Sequence, residues 1–399
     1  MNTKRFISCT DELVGIMRGG GLVAVPTETV YGLAGNGLDE KAVAEIYEVK
    51  GRPEVKPLSL MVHDAASMER YCESVPPQAY TLAKRFWPGP LTMVMKAKPC
   101  VPEIVRAGGE TVGLRCPDHP LTLELLEKSR VPFAAPSANP SGESSPKNAD
   151  SVLKYFDGKI DAVLDGGECG IGRESTLIDL SRMPYRILRQ GALPTDEIAD
   201  ALVDGMKIIG ITGGTGCGKT TALNELERRG ALLIDCDAVY HRMLETDRPM
   251  LDEIEKYFPG AVVDGKLDRK ALGAVVFTDE EALRDLNIIT HRHINLEIRR
   301  ILREHAMNGG TLAAIDAIEL FSSGLAKRCT ATVGVIAGRD VRISRIMRRD
   351  GISREYAMMR VNAQRPNEYF IQNCSRVLEN NGSQEEFIER CRKTFEEVL

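Results

Sequence analysis

The run Ile208-Ile209-Gly210-Ile211-Thr212-Gly213-Gly214-Thr215-Gly216-Cys217-Gly218-Lys219-Thr220-Thr221 fits G-x-x-x-x-G-K-[ST] from Gly213 to Thr220. In such a loop backbone amides cradle phosphates, the Lys ammonium reaches the terminal phosphate and the Thr hydroxyl takes Mg2+. Two acidic positions follow. Asp235-Cys236-Asp237 closes the apolar run 231–234, and Asp316 closes 311–315. In an open parallel sheet those strand ends line the ligand crevice, so one acid can take a hydroxyl proton and another can hold Mg2+ through water. Arg342, Arg345, Arg348 and Arg349 share the helical stretch 340–350 at three- and four-residue spacing, the pattern of a lid that closes on phosphates.

The first half carries a second set of charges. Lys50, Arg52 and Lys56 lie within 50–58, stiffened by Gly51, Pro53 and Pro57. Arg115 ends an apolar run at 112–114, Ser137 and Asn139 follow 131–135, Glu174-Ser175-Thr176 precedes another, and Arg189 ends 185–188. Cations and short hydroxyl or amide side chains thus recur at strand ends, where rigid elements can assemble a site. The chemistry implied is polyanion binding by Arg forks and Lys point charges.

The elements that must position these groups are read from periodicity and punctuation. A helix is expected over 11–20, a buried strand over 21–25, a helix over 42–49 and a strand over 58–62. In the second half a helix is expected over 220–229 and strands over 231–234 and 311–315. A phosphate loop normally opens its domain, yet here it starts after 205 residues, and 399 residues exceed one ordinary core. Two α/β domains are expected, 1–205 and 206–399, joined by a short acidic connector over 194–205. With 43% hydrophobic and 27% charged residues the composition is globular, and a net charge of -5 argues against broad adhesion to nucleic acid or anionic membrane. The ten cysteines show no metal-ligand spacing, and no 18-residue apolar run is present. The expectation is a cytoplasmic protein with reduced thiols.

Residues 5–195 resemble the YrdC-like L-threonylcarbamoyladenylate synthases. The matching blocks are Pro26-Thr27-Glu28-Thr29-Val30-Tyr31-Gly32-Leu33, Lys50-x-Arg52 with Lys56-Pro57-Leu58, Trp87-Pro88-Gly89-Pro90-Leu91-Thr92, Arg115-x-Pro117, Ser137-x-Asn139, Ser175-Thr176 and Arg189-Gln190-Gly191. The resemblance implies a twisted α/β sheet around a cationic cavity, in which L-threonine, bicarbonate or CO2 and ATP give threonylcarbamoyl-AMP and pyrophosphate. Downstream tRNA-modification proteins would take the product. By matching position, Lys50, Arg52, Lys56, Ser137, Asn139, Ser145 and Arg189 would contact ATP, and Thr29, His63, Arg115 and Ser175 would surround threonine. Lys50 and Arg52 would stabilise the growing pyrophosphate charge.

Residues 206–399 resemble dephospho-CoA kinase. The carriers are the phosphate loop, Ile234-Asp235-x-Asp237, Gly265-x-Leu267-x-Arg269-x-x-Leu272, Arg345-x-x-x-Arg349-Asp350, Ala363-Gln364 and Asn380-Asn381-Gly382. A P-loop kinase domain with a parallel sheet and helical lid is implied, transferring phosphate from ATP to the ribose 3'-hydroxyl of dephospho-CoA. Asp237 would be the base, Gly213 to Thr221 the ATP loop with Lys219 on its phosphates, Thr220 and Asp316 the Mg2+ residues, and Arg349 a lid cation. Two segments depart from the family: His291-Arg292 stands where it has His-Pro, and Ile318-Glu319-Leu320-Phe321-Ser322 where it has Pro-Leu-Leu-Phe-Glu. A different nucleotide-like acceptor therefore stays open, as does an RNA-binding role for the first half, against which the acidic charge balance weighs.

Overall fold

The computed structural model describes residues 2–399, which form two compact units. One comprises the chain up to Gly205 with Met307–Gly309, the other Met206–Ala306 with Gly310–Leu399. Among the described residues no helix is long and apolar enough to cross a membrane.

The first unit is built on a mixed ten-stranded sheet. Its order is Lys4–Phe6, Ala162–Leu164, Val23–Val25, Gly32–Asn36, Phe133–Ala134, Ser59–Met61, Thr111–Arg115, Leu91–Lys96, Thr176–Asp179 and Arg186–Arg189. Val23–Val25 and Ala162–Leu164 are fully buried and uniformly apolar, as strands covered on both faces must be. Thr10 caps the helix Asp11–Arg18 through Leu13 N, and its Leu13 and Met17 pack with Val23, Val25, Leu125 and Phe133.

Strand direction decides where the site lies. Ser59–Met61 and Thr111–Arg115 run parallel and end together at Met61 and Arg115, while the antiparallel neighbour Leu91–Lys96 begins at that edge, in register with Thr176. Arg115, Thr92 and Ser175 are thereby gathered at one end of the sheet.

Within the acidic connector 194–205, Thr195–Asp204 is a helix with Asp196 and Glu197 in its first turn. Its Ile198, Ala199, Ala201, Leu202 and Val203 are buried. The acidic residues signalled a helix N-terminus, where they complement the dipole.

The second unit has an all-parallel five-stranded sheet, ordered Leu232–Asp235, Leu312–Asp316, Lys207–Thr212, Ala331–Ile336 and Arg376–Glu379. Ile209, Ile211, Val333 and Val335 form its core with Leu226, Phe387 and Phe395 from flanking helices. Register places Asp235 beside Asp316 and Asp316 beside Ile211, so the two acidic strand ends lie at the same edge of the sheet as the loop that follows Thr212.

Candidate active sites

In the first unit a cavity of about 650 Å³ opens at the strand ends. Of the sequence-predicted residues, Arg52, Lys56, Arg115, Ser137, Ser175 and Arg189 line it. Arg115 is 7% exposed and held from three sides: it donates to Thr29 Oγ1 at 2.8 Å, to the Glu28 carboxylate at 2.7 Å and to the Gly89 carbonyl at 3.3 Å. Arg189 donates to the Ser175 carbonyl and hydroxyl and pairs with Glu174 at 2.7 Å, while Ser175 Oγ lies 2.8 Å from Thr92 Oγ1. Arg52 folds across its own loop onto the carbonyls of Lys56 and Pro57.

The remaining predicted residues stand elsewhere. Thr29 is fully buried behind Arg115. Lys50, the last residue of the helix Glu40–Lys50, is 3% exposed and does not line the cavity. Its ammonium donates to the carbonyls of Ser137 and Asn139, and burial, reinforced by Arg52, pushes its pKa down to about 8. Lys50 thus fixes the segment that presents Ser137, because a helix end turned into the core brings its cation to backbone oxygen rather than to solvent. Asn139 is buried; its amide nitrogen donates to the carbonyls of Pro140 and Glu143, and its Oδ1 has no partner. A buried acceptor left open is costly unless a ligand donor completes it. Ser145 Oγ reaches Glu174 Oε1 at 3.4 Å. His63 is not brought to this cavity: the strand ends at Met61, and His63 lines a neighbouring one of about 370 Å³, 3.8 Å from Asp64. Glu28 and Glu174 lie inside quoted motifs without an assigned role, yet each holds a cavity arginine, Arg115 and Arg189.

In the second unit the loop 213–218 joins the strand Lys207–Thr212 to the helix Lys219–Glu227. Gly213 at φ 144° faces the Val335 backbone and Gly218 at φ 100° faces the Asn380 side chain, so a Cβ at either would be both strained and obstructed. The loop is held from outside. Asn380 Nδ2 donates to Cys217 O, Arg342 Nε to Thr215 O, and Gln364 exchanges hydrogen bonds with the Thr215 amide and hydroxyl at 2.8 and 2.7 Å. Arg342 is therefore a buried brace, not a lid cation, and Gln364 and Asn380, which stand in quoted motifs without an assigned role, brace the same loop.

A cavity of about 610 Å³ lies over this loop, lined by Gly213, Gly214, Thr215, Gly216, Gly218, Lys219 and Thr220, with Asp237, Arg345, Arg348, Arg349 and Arg360. Cys217 is fully buried, so only its backbone belongs to the loop's function, and Thr221 does not line the cavity. Arg349 and Arg360 share Asp350, each at 2.6 Å. Lys219 Nζ pairs with Asp316 at 2.7 Å, and burial raises the Asp316 pKa while Lys219 pulls it back. The two acids after residue 234 divide their work: Asp235 caps the helix Cys236–Thr246, accepting from the amides of Asp237 and Ala238, which leaves Asp237 on the cavity wall. Asp237 also borders a second cavity of about 180 Å³ lined by Tyr240, Leu286, His291, Ile294 and Glu319. The two segments that depart from the family pattern both reach this pocket. Arg292 itself turns away and pairs with Glu253.

Mg2+ typically takes one or two protein oxygens and fills its shell with phosphate and water. Thr220 on the cavity wall and Asp316 behind Lys219 fit that requirement. Among the described residues no group of three or more His, Cys, Asp or Glu forms a stand-alone metal site.

A cationic cavity at the end of a mixed sheet and a phosphate loop on a parallel one define a chain with two anion-handling, nucleotide-type sites. Comparison with known proteins gives the families. Residues 15–191 match the Sua5/yciO/yrdC family, described as telomere recombination, and residues 207–386 match the dephospho-CoA kinase family. The threonylcarbamoyl-AMP synthase of Pyrococcus abyssi is 50% identical over 184 residues, 46% of this chain and 54% of that protein. A putative threonylcarbamoyl-AMP synthase of Methanocaldococcus jannaschii is 38% identical over 180 residues, 45% of this chain and 84% of that protein. The dephospho-CoA kinase of Anaeromyxobacter dehalogenans is 41% identical over 182 residues, 45% of this chain and 86% of that protein. The chain belongs to both families, one through each half, and spans about half the length of the Pyrococcus relative.

Proposed function

We propose that the chain is a bifunctional enzyme divided near 205/206. Its first half forms L-threonylcarbamoyl-AMP and pyrophosphate from L-threonine, bicarbonate or CO2 and ATP. Its second half phosphorylates the 3'-hydroxyl of dephospho-CoA with ATP and Mg2+, in the cytoplasm.

The observation that supports the first activity is the meeting of Arg52, Lys56, Arg115 and Arg189 with Ser137 and Ser175 in one cavity. N-carboxylated threonine is already an anion, so its attack on the α-phosphate asks for charge neutralisation and orientation more than for a strong base. Arg115, rigidly held, suits the amino-acid carboxylate; Arg52, Lys56 and Arg189 suit the triphosphate and the departing pyrophosphate. Lys50 positions the segment that carries Ser137 and Asn139. Thr29 acts behind Arg115.

The second activity is supported by Asp237, which borders both the phosphate cavity and the smaller one beside it. An acceptor hydroxyl placed at Asp237 faces the terminal phosphate held by Lys219 and the loop amides. Asp237 takes its proton, and Arg345, Arg348, Arg349 and Arg360 balance the transferring charge. Mg2+ at Thr220 and Asp316 would supply further charge neutralisation.

Incubating the whole chain with ATP, Mg2+, threonine, bicarbonate and dephospho-CoA, and identifying products by mass, tests both readings. Threonylcarbamoyl-AMP, pyrophosphate, CoA and ADP are expected. Pyrophosphate that does not depend on threonine and bicarbonate overturns the first activity; ADP without CoA overturns the second acceptor. Separate halves cut at 205/206 should each bind ATP, and a half that binds only beside its partner overturns the division.

A further inference from the structure

The cavity of about 180 Å³ beside Asp237 is too small for a whole nucleotide or cofactor and suits one flat ring system. Its walls are mostly apolar, from Leu286, Ile294, Ala317, Ile318 and Leu325, with the Tyr240 ring among them. Several polar side chains at its edge are already spent. Thr290 donates to the Leu286 carbonyl within its own helix, and Ser323 turns to Leu320 O. Glu319 differs from them. Glu319 is exposed at the cavity edge, where one carboxylate oxygen accepts from Ser322 and the structure gives the other no hydrogen bond; His291 lines the same cavity. A carboxylate at the rim of an apolar slot selects a ligand that brings hydrogen-bond donors and rejects one that brings an acceptor, since carboxylate against carbonyl leaves two acceptors facing each other.

The hydroxyl phosphorylated at Asp237 belongs to a ribose, and that ribose carries the base two ring carbons away from it. We propose that this cavity receives the acceptor's nucleobase and that Glu319 is a specificity-determining residue which accepts a hydrogen bond from an exocyclic amino group. An aminopurine acceptor is thereby preferred to its 6-oxo counterpart. This inference rests on the kinase reading above and goes beyond it in assigning a base socket and its selecting side chain. Glu319 also stands in one of the two segments that depart from the family pattern.

The test compares dephospho-CoA with its deaminated, hypoxanthine-bearing analogue at saturating ATP, in the wild type and in Glu319→Gln. Loss of a charge-assisted hydrogen bond should raise the wild-type KM for the analogue about tenfold or more. In Glu319→Gln the amide can donate to the 6-oxo group, so the KM ratio should fall toward one while KM for ATP stays unchanged. Glu319→Leu should weaken dephospho-CoA and lose the discrimination, with the same unchanged ATP control. An equal KM ratio in the wild type and in both variants overturns the role of Glu319 and leaves the kinase reading standing. Failure of the wild type to phosphorylate dephospho-CoA at all overturns that reading, and this inference with it.

Discussion

Replacing Lys219 by Ala should do more than remove a phosphate ligand, because its ammonium holds Asp316 at 2.7 Å with the two side chains only 18% and 20% exposed. Breaking a buried ion pair by removing one partner typically costs about 3–5 kcal/mol, and water entering from the open cavity lowers that here to about 2–3 kcal/mol. The loss should appear as a lower denaturant midpoint of the whole chain measured without nucleotide. Asp316→Asn added to Lys219→Ala should recover most of it without restoring kinase activity. The sign of the pH dependence follows from Asp316. Burial already raises its pKa, and without Lys219 it rises further. Between the ordinary carboxylate value and that raised value the folded state binds a proton which the unfolded chain has released. The deficit of the variant relative to the wild type is therefore full at neutral pH and shrinks as pH falls through that window. Equal midpoints for Lys219→Ala and wild type at neutral pH, or a double variant no more stable than the single one, would refute the argument that Asp316 depends on Lys219.

Asp237→Asn should leave ATP affinity intact and lower kcat of the kinase about 10²–10⁴-fold, the span of a general base; lost ATP binding at near-normal saturated rate would make it a nucleotide or metal ligand instead. Lys50, with its pKa pushed down to about 8 from an ordinary 10.5, loses its proton in the folded state while the unfolded chain keeps it. Wild-type stability relative to Lys50→Met should therefore rise between those values, by about 3 kcal/mol at most, and a pH-independent difference in denaturant midpoint would contradict the buried clamp. Arg115→Leu strands the Glu28 carboxylate, 13% exposed, and should lower stability by about 3–5 kcal/mol while abolishing threonine-dependent pyrophosphate release. Arg115→Lys should keep much of the stability and raise KM for threonine, because a point charge cannot reach Thr29, Glu28 and Gly89 together; an unchanged KM would remove Arg115 from the threonine site.

The sequence by itself determined the two families through the motifs it shares with them, and the α/β class of both halves and the phosphate loop through local spacing. A loop with glycines where positive φ is needed, followed by Lys and Thr, is suited to cradling a phosphate. It also put Arg52, Lys56, Arg115, Ser137, Ser175 and Arg189 forward together, since cations and hydroxyls at strand ends leave a mark in the chain. Only the tertiary structure decided which way each side chain faces. Lys50 and Arg52 are two residues apart, yet one ammonium is buried against backbone carbonyls and the other side chain lines the cavity. Arg342 and Arg345, neighbours on one helix face, divide into a buried brace for Thr215 and a cavity residue. Asp235 and Asp237 share one strand end, where the family resemblance names Asp237 as the base; the helix start at Cys236 makes Asp235 a cap and leaves Asp237 on the cavity wall. The small pocket beside Asp237 was illegible, because its walls come from 236–240, 286–294 and 317–325, segments that only the fold brings together. Motif spacing records local backbone geometry, whereas burial and partnership are long-range properties fixed when distant segments pack.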